Sequence, residues 1–125
     1  MIQATGAGAP LEDDLRPLDF ETMRAIANRL LAQGQALSAD DLLTEIMMLR
    51  GQLAVLVPAV SELAGTRPVD DVWRDAAQEC VGTARRRITH TTGYTVPVLL
   101  TEIQGLARSV LALGTHLRNL AADDA

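Results

Sequence analysis

Between Val96 and Leu120, the residues Val96, Leu99, Ile103, Leu106, Val110, Leu113, Leu117 and Leu120 recur at alternating steps of three and four. A helix over this stretch therefore carries one continuous apolar seam, and such a seam needs something to lie against. Leu42, Ile46, Leu49, Leu53, Leu56, Val60 and Leu63 repeat the alternation. Two matched seams in a chain of 125 residues predict helices packed on one another. That length makes one domain, large enough to bury a core without disulfide or metal staples. The interior must be aliphatic, because Phe20, Trp73 and Tyr94 are the only aromatics.

Charge narrows the range of partners. The net charge of −5 argues against a nucleic-acid binder, which shows a basic stripe, and against attraction to anionic membrane surfaces. It favours basic partners. All 11 cationic side chains are arginine, a composition that GC-rich coding produces. With no lysine the chain supplies neither a lysine nucleophile nor a Schiff base. Cys80 is the sole cysteine, which excludes an internal disulfide and fits a reducing cytoplasm. The longest uncharged stretch, Ile88 to Thr101, is interrupted by His90, Gly93 and Pro97, and is short of the ~18 apolar residues of a membrane span. Met1 to Pro10 lacks the basic residue and apolar length of a secretory signal. A soluble cytoplasmic protein is expected, with no membrane and no nucleic acid among its partners.

Gly, Ala, Pro and acidic residues fill positions 1–17 without periodicity, so a flexible N-terminal arm is expected, with Leu11 and Leu15 as the side chains able to pack. A first helix is predicted from Asp19, its carboxylate capping the free amides, to Gln33 before Gly34. Its inward face is Phe20, Met23, Ile26, Ala27, Leu30 and Leu31. Ser38 and Asp41 stand in capping-box spacing and open a second helix that ends near Ala64, with Gly65 as its stop. Pro58 removes a donor inside it and crowds the carbonyl of Ala54, which predicts a bend or an opened pocket. After a turn at Thr66, Arg67 and Pro68, Asp70 and Asp71 begin a third helix that reaches Thr89. Its predicted inward face is Val69, Trp73, Ala76, Ala77, Cys80, Ala84 and Ile88. His90 to Tyr94 make the last turn, and Thr95 or Val96 caps the final helix, with Pro97 in its first turn and its end near Ala122. The expected fold is all-α: an up-down-up-down antiparallel four-helix bundle over residues 18–122, followed by a frayed tail, 123–125.

No metal or cofactor is expected. Neither His90 nor His116 has a carboxylate three residues before it, and there is no CxxC, HExxH, Walker loop or Gly-rich dinucleotide turn. Cys80 reads as a small buried hydrophobe without a base to activate it. Arg50 falls in a row with Leu43, Met47, Ala54 and Val57 beside the main seam. It must pair, snorkel or face a cavity, with Glu79 or Glu45 as partner. Arg85, Arg86, Arg87, His90 and Tyr94 gather near one bundle end. They form either a solvated helix terminus or a site that holds a carboxylate or enolate while His90 or Tyr94 moves a proton, with Glu102 as the carboxylate to add. His116 reads as a boundary residue. Trp73 is either a core anchor or an interface hot spot. Leu100, Ala107 and Leu111 widen the apolar face of the last helix beyond one seam, which favours a homodimer.

The run LLTEIMMLRGQLAVLVPAVSELA, then VWRDAAQECVGTARRRI, then LARSVLALGTHLRNL, resembles a family of short helical actinobacterial proteins of natural-product gene clusters, over about residues 20–122. The resemblance extends to the small proteins that form the lysinoalanine cross-link of cinnamycin- and duramycin-type lanthipeptides. It implies that a peptide lysine adds to a dehydroalanine on a bound precursor peptide. The motifs are of packing type and carry over no catalytic residue. The site is therefore taken from the residues themselves: His90, Tyr94 and Glu102 as catalytic, and Arg50, Glu79 and Arg87 as substrate-binding. The rival from another class is a non-catalytic helical module that recruits a pathway protein.

Overall fold

The computed structural model describes residues 19–90 and 93–124, with side chains through Ala121. Leu11 and Leu15, the arm they belong to, and Thr91 and Thr92 lie outside the described residues. The described chain is entirely helical: α1 (Phe20–Gln33), a single 3-10 turn (Gly34–Ala36), α2 (Ala39–Gly65), α3 (Val72–Thr89) and α4 (Val96–Asp124). α4 thus runs past the predicted end at Ala122.

Each helix start has its own chemistry. Asp19 does not cap α1 with its carboxylate. Its backbone, at φ −32 and ψ 86, lies outside the extended conformation that turns a capping side chain onto the amides. The carboxylate accepts instead from the Thr22 hydroxyl at 3.0 Å, and the Asp19 carbonyl takes the amides of Thr22 and Met23. Ser38 caps α2 as its spacing predicts, its Oγ accepting from the Asp41 amide at 3.2 Å. Asp71 is the cap of α3 rather than part of its first turn, accepting from the amides of Trp73 and Arg74. Pro58 interrupts no turn of α2. Both Pro58 and Ala54, whose carbonyl loses its intrahelical donor, are exposed, so water can take the donor's place.

Helix α4 organises the bundle, because α1, α2 and α3 all pack on it and α2 packs also on α3. Its seam is buried from Leu99 through Ile103, Leu106, Val110 and Leu113 to Leu120, and faces Leu42, Ile46, Leu49, Leu53, Leu56 and Val60 of α2. Truncating one of these leucines to alanine costs about 2–5 kcal/mol. The second stripe of α4 is covered within the chain. Ala107 is buried, Leu111 packs against the core, and Leu100 lies at Gly34, so this stripe requires no second copy.

Two close approaches depend on glycine. A Cβ at Gly114 would stand 1.5 Å from Cε1 of Phe20, so the absence of a side chain is what lets α1 seat its ring on α4. A Cβ at Gly105 would lie 3.1 Å from Nε of Arg87, which crosses α4 there.

Several predicted faces are displaced. On α3 only Ala77, Val81 and Ala84 are fully buried; Val69 and Ala76 are exposed and Trp73 is 48% exposed. Val72 and Ala76 lie on the flank of α3 turned away from its buried row of Ala77, Val81 and Ala84. Met47 and Ala54 are likewise exposed on α2, although Val57 is buried. Ala39–Gly65 and Val96–Ala121 are also long and apolar enough to cross a membrane. Uncharged runs alone do not reveal this, because each helix carries a few charges among its apolar residues. Their buried residues form the seam of the bundle, and a core helix passes the same test.

Candidate functional site

The C-cap of α3 and the start of α4 line an open cleft of about 350 Å³, walled by His90, Pro97, Val98, Thr101 and Glu102. Glu102 is the charged group at its inner wall, with a side chain only 7% exposed. Its partner is Arg50 of α2, whose Nη2 donates to Oε2 of Glu102 at 3.1 Å and to the carbonyl of His90 at 2.6 Å. One guanidinium therefore ties three elements together: the middle of α2, the C-cap of α3 and the second turn of α4. The geometry follows from the sequence locally. Arg50 sits beside the buried Leu49 and Leu53, which place it at the bundle edge. Glu102 precedes the buried Ile103, and so falls on the flank of the seam. A carboxylate so enclosed needs its cation, because burial without a partner costs several kcal/mol.

Arg50 takes neither Glu79 nor Glu45 as its partner. Glu79 is exposed, because it projects from the side of α3 away from Ala77, Val81 and Ala84. It stands 11 residues before His90, about 16 Å along a helix axis, and does not line the interior as expected.

Arg87 belongs to the packing. Its Nη1 donates to the carbonyl of Gly105 at 2.6 Å and to Oγ of Ser109 at 2.7 Å, fastening α3 across α4. Arg85 and Arg86 are exposed on the same helix end. His90 caps α3 with an exposed side chain at the rim of the cleft, and Tyr94 is 71% exposed. Structure thus gathers Arg50, His90 and Glu102 at one place, leaves Tyr94 on the connection beside them, and separates Glu79 from them.

The other reactive side chains lie apart. Cys80 is half-buried, and burial pushes its thiol above the usual range while the positive charge of Arg87 pulls the other way. His116 is half-buried on α4, where burial lowers its pKa; its Nδ1 is enclosed without a hydrogen bond. Among the described residues no three His, Cys, Asp or Glu side chains gather closely enough to hold a metal.

Sequence reasoning missed Gly105 and Ser109 as partners of Arg87, and Pro97, Val98 and Thr101 as cleft walls. Gly105 had only an ambiguous signal: a glycine inside a helix allows a close approach, as here and at Gly114, but Gly51 of α2 meets nothing within 4 Å. Ser109 had none, since its only distinction is the guanidinium that arrives from another helix.

Residues 21–122 match a family described as a family of unknown function, DUF6415. The chain belongs to this family. The match spans all four helices, including Arg50, His90 and Glu102. No curated protein and no solved structure shows a significant match to the chain.

Proposed function

We propose that this chain is a natural-product tailoring protein that binds a ribosomal precursor peptide at the His90–Glu102 cleft and promotes an intramolecular lysine-to-dehydroalanine cross-link. The observation that carries the site is the Arg50 clamp, which fixes a carboxylate at the wall of the cleft and holds the His90 backbone beside it. The sequence resemblance supplies the reaction.

In this reading Pro97, Val98 and Thr101 receive the aliphatic stem of the peptide lysine. Glu102 accepts a hydrogen bond from its nitrogen, and the His90 imidazole removes the ammonium proton. The freed lone pair forms a C–N bond to the β-carbon of dehydroalanine, and the alkene π pair moves toward the neighbouring carbonyl as an enolate. The Tyr94 hydroxyl gives a proton to the α-carbon, and its phenolate recovers the proton held by His90, which completes an addition that needs no redox partner. Holding amine and alkene together supplies much of the rate, since orientation alone is worth up to about 7–11 kcal/mol. Arg50 acts as a positioning residue through Glu102, and Arg87 through the α3–α4 contact; Glu79 takes no part.

An up-down-up-down order of the helices underlies this arrangement. It is supported by the pairs Phe20 with Gly114, Gly34 with Leu100, Arg87 with Gly105, Arg50 with Glu102, and Leu63 with Leu117. The single cysteine supports action in the cytoplasm.

The test is mass spectrometry of dehydrated peptides from the same gene cluster, incubated with the purified protein and then treated with a thiol. The addition leaves mass unchanged but consumes one dehydroalanine. One thiol adduct should therefore be lost with the wild-type protein and retained with folded His90→Ala and Glu102→Gln variants. Equal labelling with and without protein would refute the reaction, and full activity of both variants would refute the site.

A further inference from the structure

Away from the cleft, the turn between α2 and α3 displays apolar side chains that the fold leaves uncovered. Val69 is 80% exposed, Val72 74% and Trp73 48%, all within five residues, and the exposed Ala76 continues the face along α3. Trp73 is the only tryptophan in the chain. Single exposed apolar residues are ordinary, whereas a cluster with tryptophan in it has the composition of an interface centre.

The backbone beneath this cluster is braced. Asp71 takes the Trp73 amide at 2.7 Å and the Nε of Arg67 at 2.9 Å. Arg74 donates to the carbonyl of Arg67 at 2.7 Å, and the Thr66 hydroxyl to the carbonyl of Leu63 at 2.6 Å. The corner therefore presents its apolar side chains from a fixed frame, which reduces the ordering cost of binding.

The rim selects the occupant. Glu62 on α2, Asp70 in the turn, and Asp75 and Glu79 on α3 are all exposed. The two arginines of this corner are half-buried, Arg67 donating to Asp71 and Arg74 to the Arg67 carbonyl, while the four carboxylates stand at the surface. Against a second copy placed symmetrically, these carboxylates would meet their own counterparts. An anionic membrane or a nucleic acid would be repelled in the same way.

We propose that the Val69–Val72–Trp73 corner is a docking surface for a partner protein's amphipathic helix, one with an apolar stripe flanked by lysine or arginine. It is distinct from the cleft and stands without the cross-linking chemistry. The helix lays its stripe over Val72, Trp73 and Ala76 and its cations against Asp70, Asp75 and Glu79.

Trp73 reports on its own burial, so fluorescence of the full-length protein tests this directly. The probe is an 18-residue leucine/lysine amphipathic peptide without tryptophan or tyrosine, with a leucine/glutamate peptide of the same pattern as control. The expected result is a saturable blue shift of Trp73 emission with the lysine peptide and none with the glutamate peptide. The affinity should fall at least tenfold on raising salt from 50 to 500 mM, and at least tenfold in Val69→Ser/Val72→Ser. Both substituted side chains are mostly in water, so the variant should retain the wild-type circular dichroism and melting temperature. No shift with the lysine peptide, or equal shifts with both peptides, would overturn the proposal. A shift that grows with protein concentration alone would assign the surface to a second copy, and one produced by phosphatidylglycerol vesicles would assign it to a membrane; either overturns it.

Discussion

Gly114→Ala should destabilise this protein, although glycine inside a helix is ordinarily a weakness. At an open helical position the exchange stabilises by about 1 kcal/mol, because alanine loses less backbone freedom on folding. Here the new methyl would lie 1.5 Å from Cε1 and 2.2 Å from Cδ1 and Cζ of Phe20, so one edge of the ring must vacate its place. The ring also carries the guanidinium groups of Arg24 and Arg118 at 5.4 and 5.1 Å from its centroid, and a swing toward solvent would break both cation–π interactions. Overpacking of this kind costs about 1–3 kcal/mol, and each cation–π interaction at such an exposed site contributes about 0.5–1 kcal/mol. Set against the helix-propensity gain, the net loss is about 1–4 kcal/mol, or a fall in Tm of about 4–16 °C at about 4 °C per kcal/mol for a domain of this size. Urea unfolding followed by circular dichroism at 222 nm measures it. The decisive comparison is a double-mutant cycle: in a Phe20→Ala background the clash is gone and Gly114→Ala should become stabilising. A Gly114→Ala protein as stable as wild type, or a change of the same sign in both backgrounds, would refute the reasoning.

Gly105→Ala crowds Arg87, which must give by a few tenths of an ångström, and set against the helix-propensity gain of about 1 kcal/mol the net change in the same urea assay should stay within about 1 kcal/mol, whereas Ser109→Ala, which removes a hydrogen bond from the guanidinium, should cost about 1–2 kcal/mol. The Asp71 carboxyl is lowered despite its partial desolvation, because the Trp73 amide, Arg67 and the Arg74 amide favour its charged form. Its contribution to stability is therefore complete above the unfolded carboxylate pKa and is lost as pH falls through the lower folded value. Asp71→Asn should melt below wild type at pH 7, and the difference should shrink in acid. Lowering of the His116 pKa by burial acts on stability with the same sign at higher pH. Below its unfolded value near 6.5 the unfolded chain binds more protons, so stability should fall with decreasing pH, and His116→Gln should flatten that part of the thermal-melt profile. Cys80 should react with iodoacetamide at pH 8 several-fold more slowly than a cysteine in a short peptide, and unfolding in urea should abolish the difference.

Relations between neighbours in the chain were legible in the sequence, and those that cross helices were not. Arg50 could be singled out because a charge beside an apolar seam must be compensated, and His90, Tyr94 and Glu102 because they fall near one bundle end. The partner of Arg50 could not be read. Glu102 is 52 positions away, and only the register of α2 against α4 brings the two side chains to 3.1 Å. The packing of α3 on α4 likewise gave Arg87 to Ser109, and it left Glu79 in solvent.

The sequence by itself determined the helices. Alternating apolar steps place the seams of α2 and α4, Ser38 fixes the start of α2, and the connections break where capping and turn residues stand, because each of these depends on neighbours within a few positions. Tertiary structure alone decided how many sides of each helix were covered. Leu100, Ala107 and Leu111 look like surplus apolar surface along the chain but are covered within the bundle. Val69, Trp73 and Ala76 look like core and are not, because the row of α3 that meets its neighbours is Ala77, Val81 and Ala84. Periodicity records which residues share a face; only the placement of neighbouring helices determines whether that face meets protein or water.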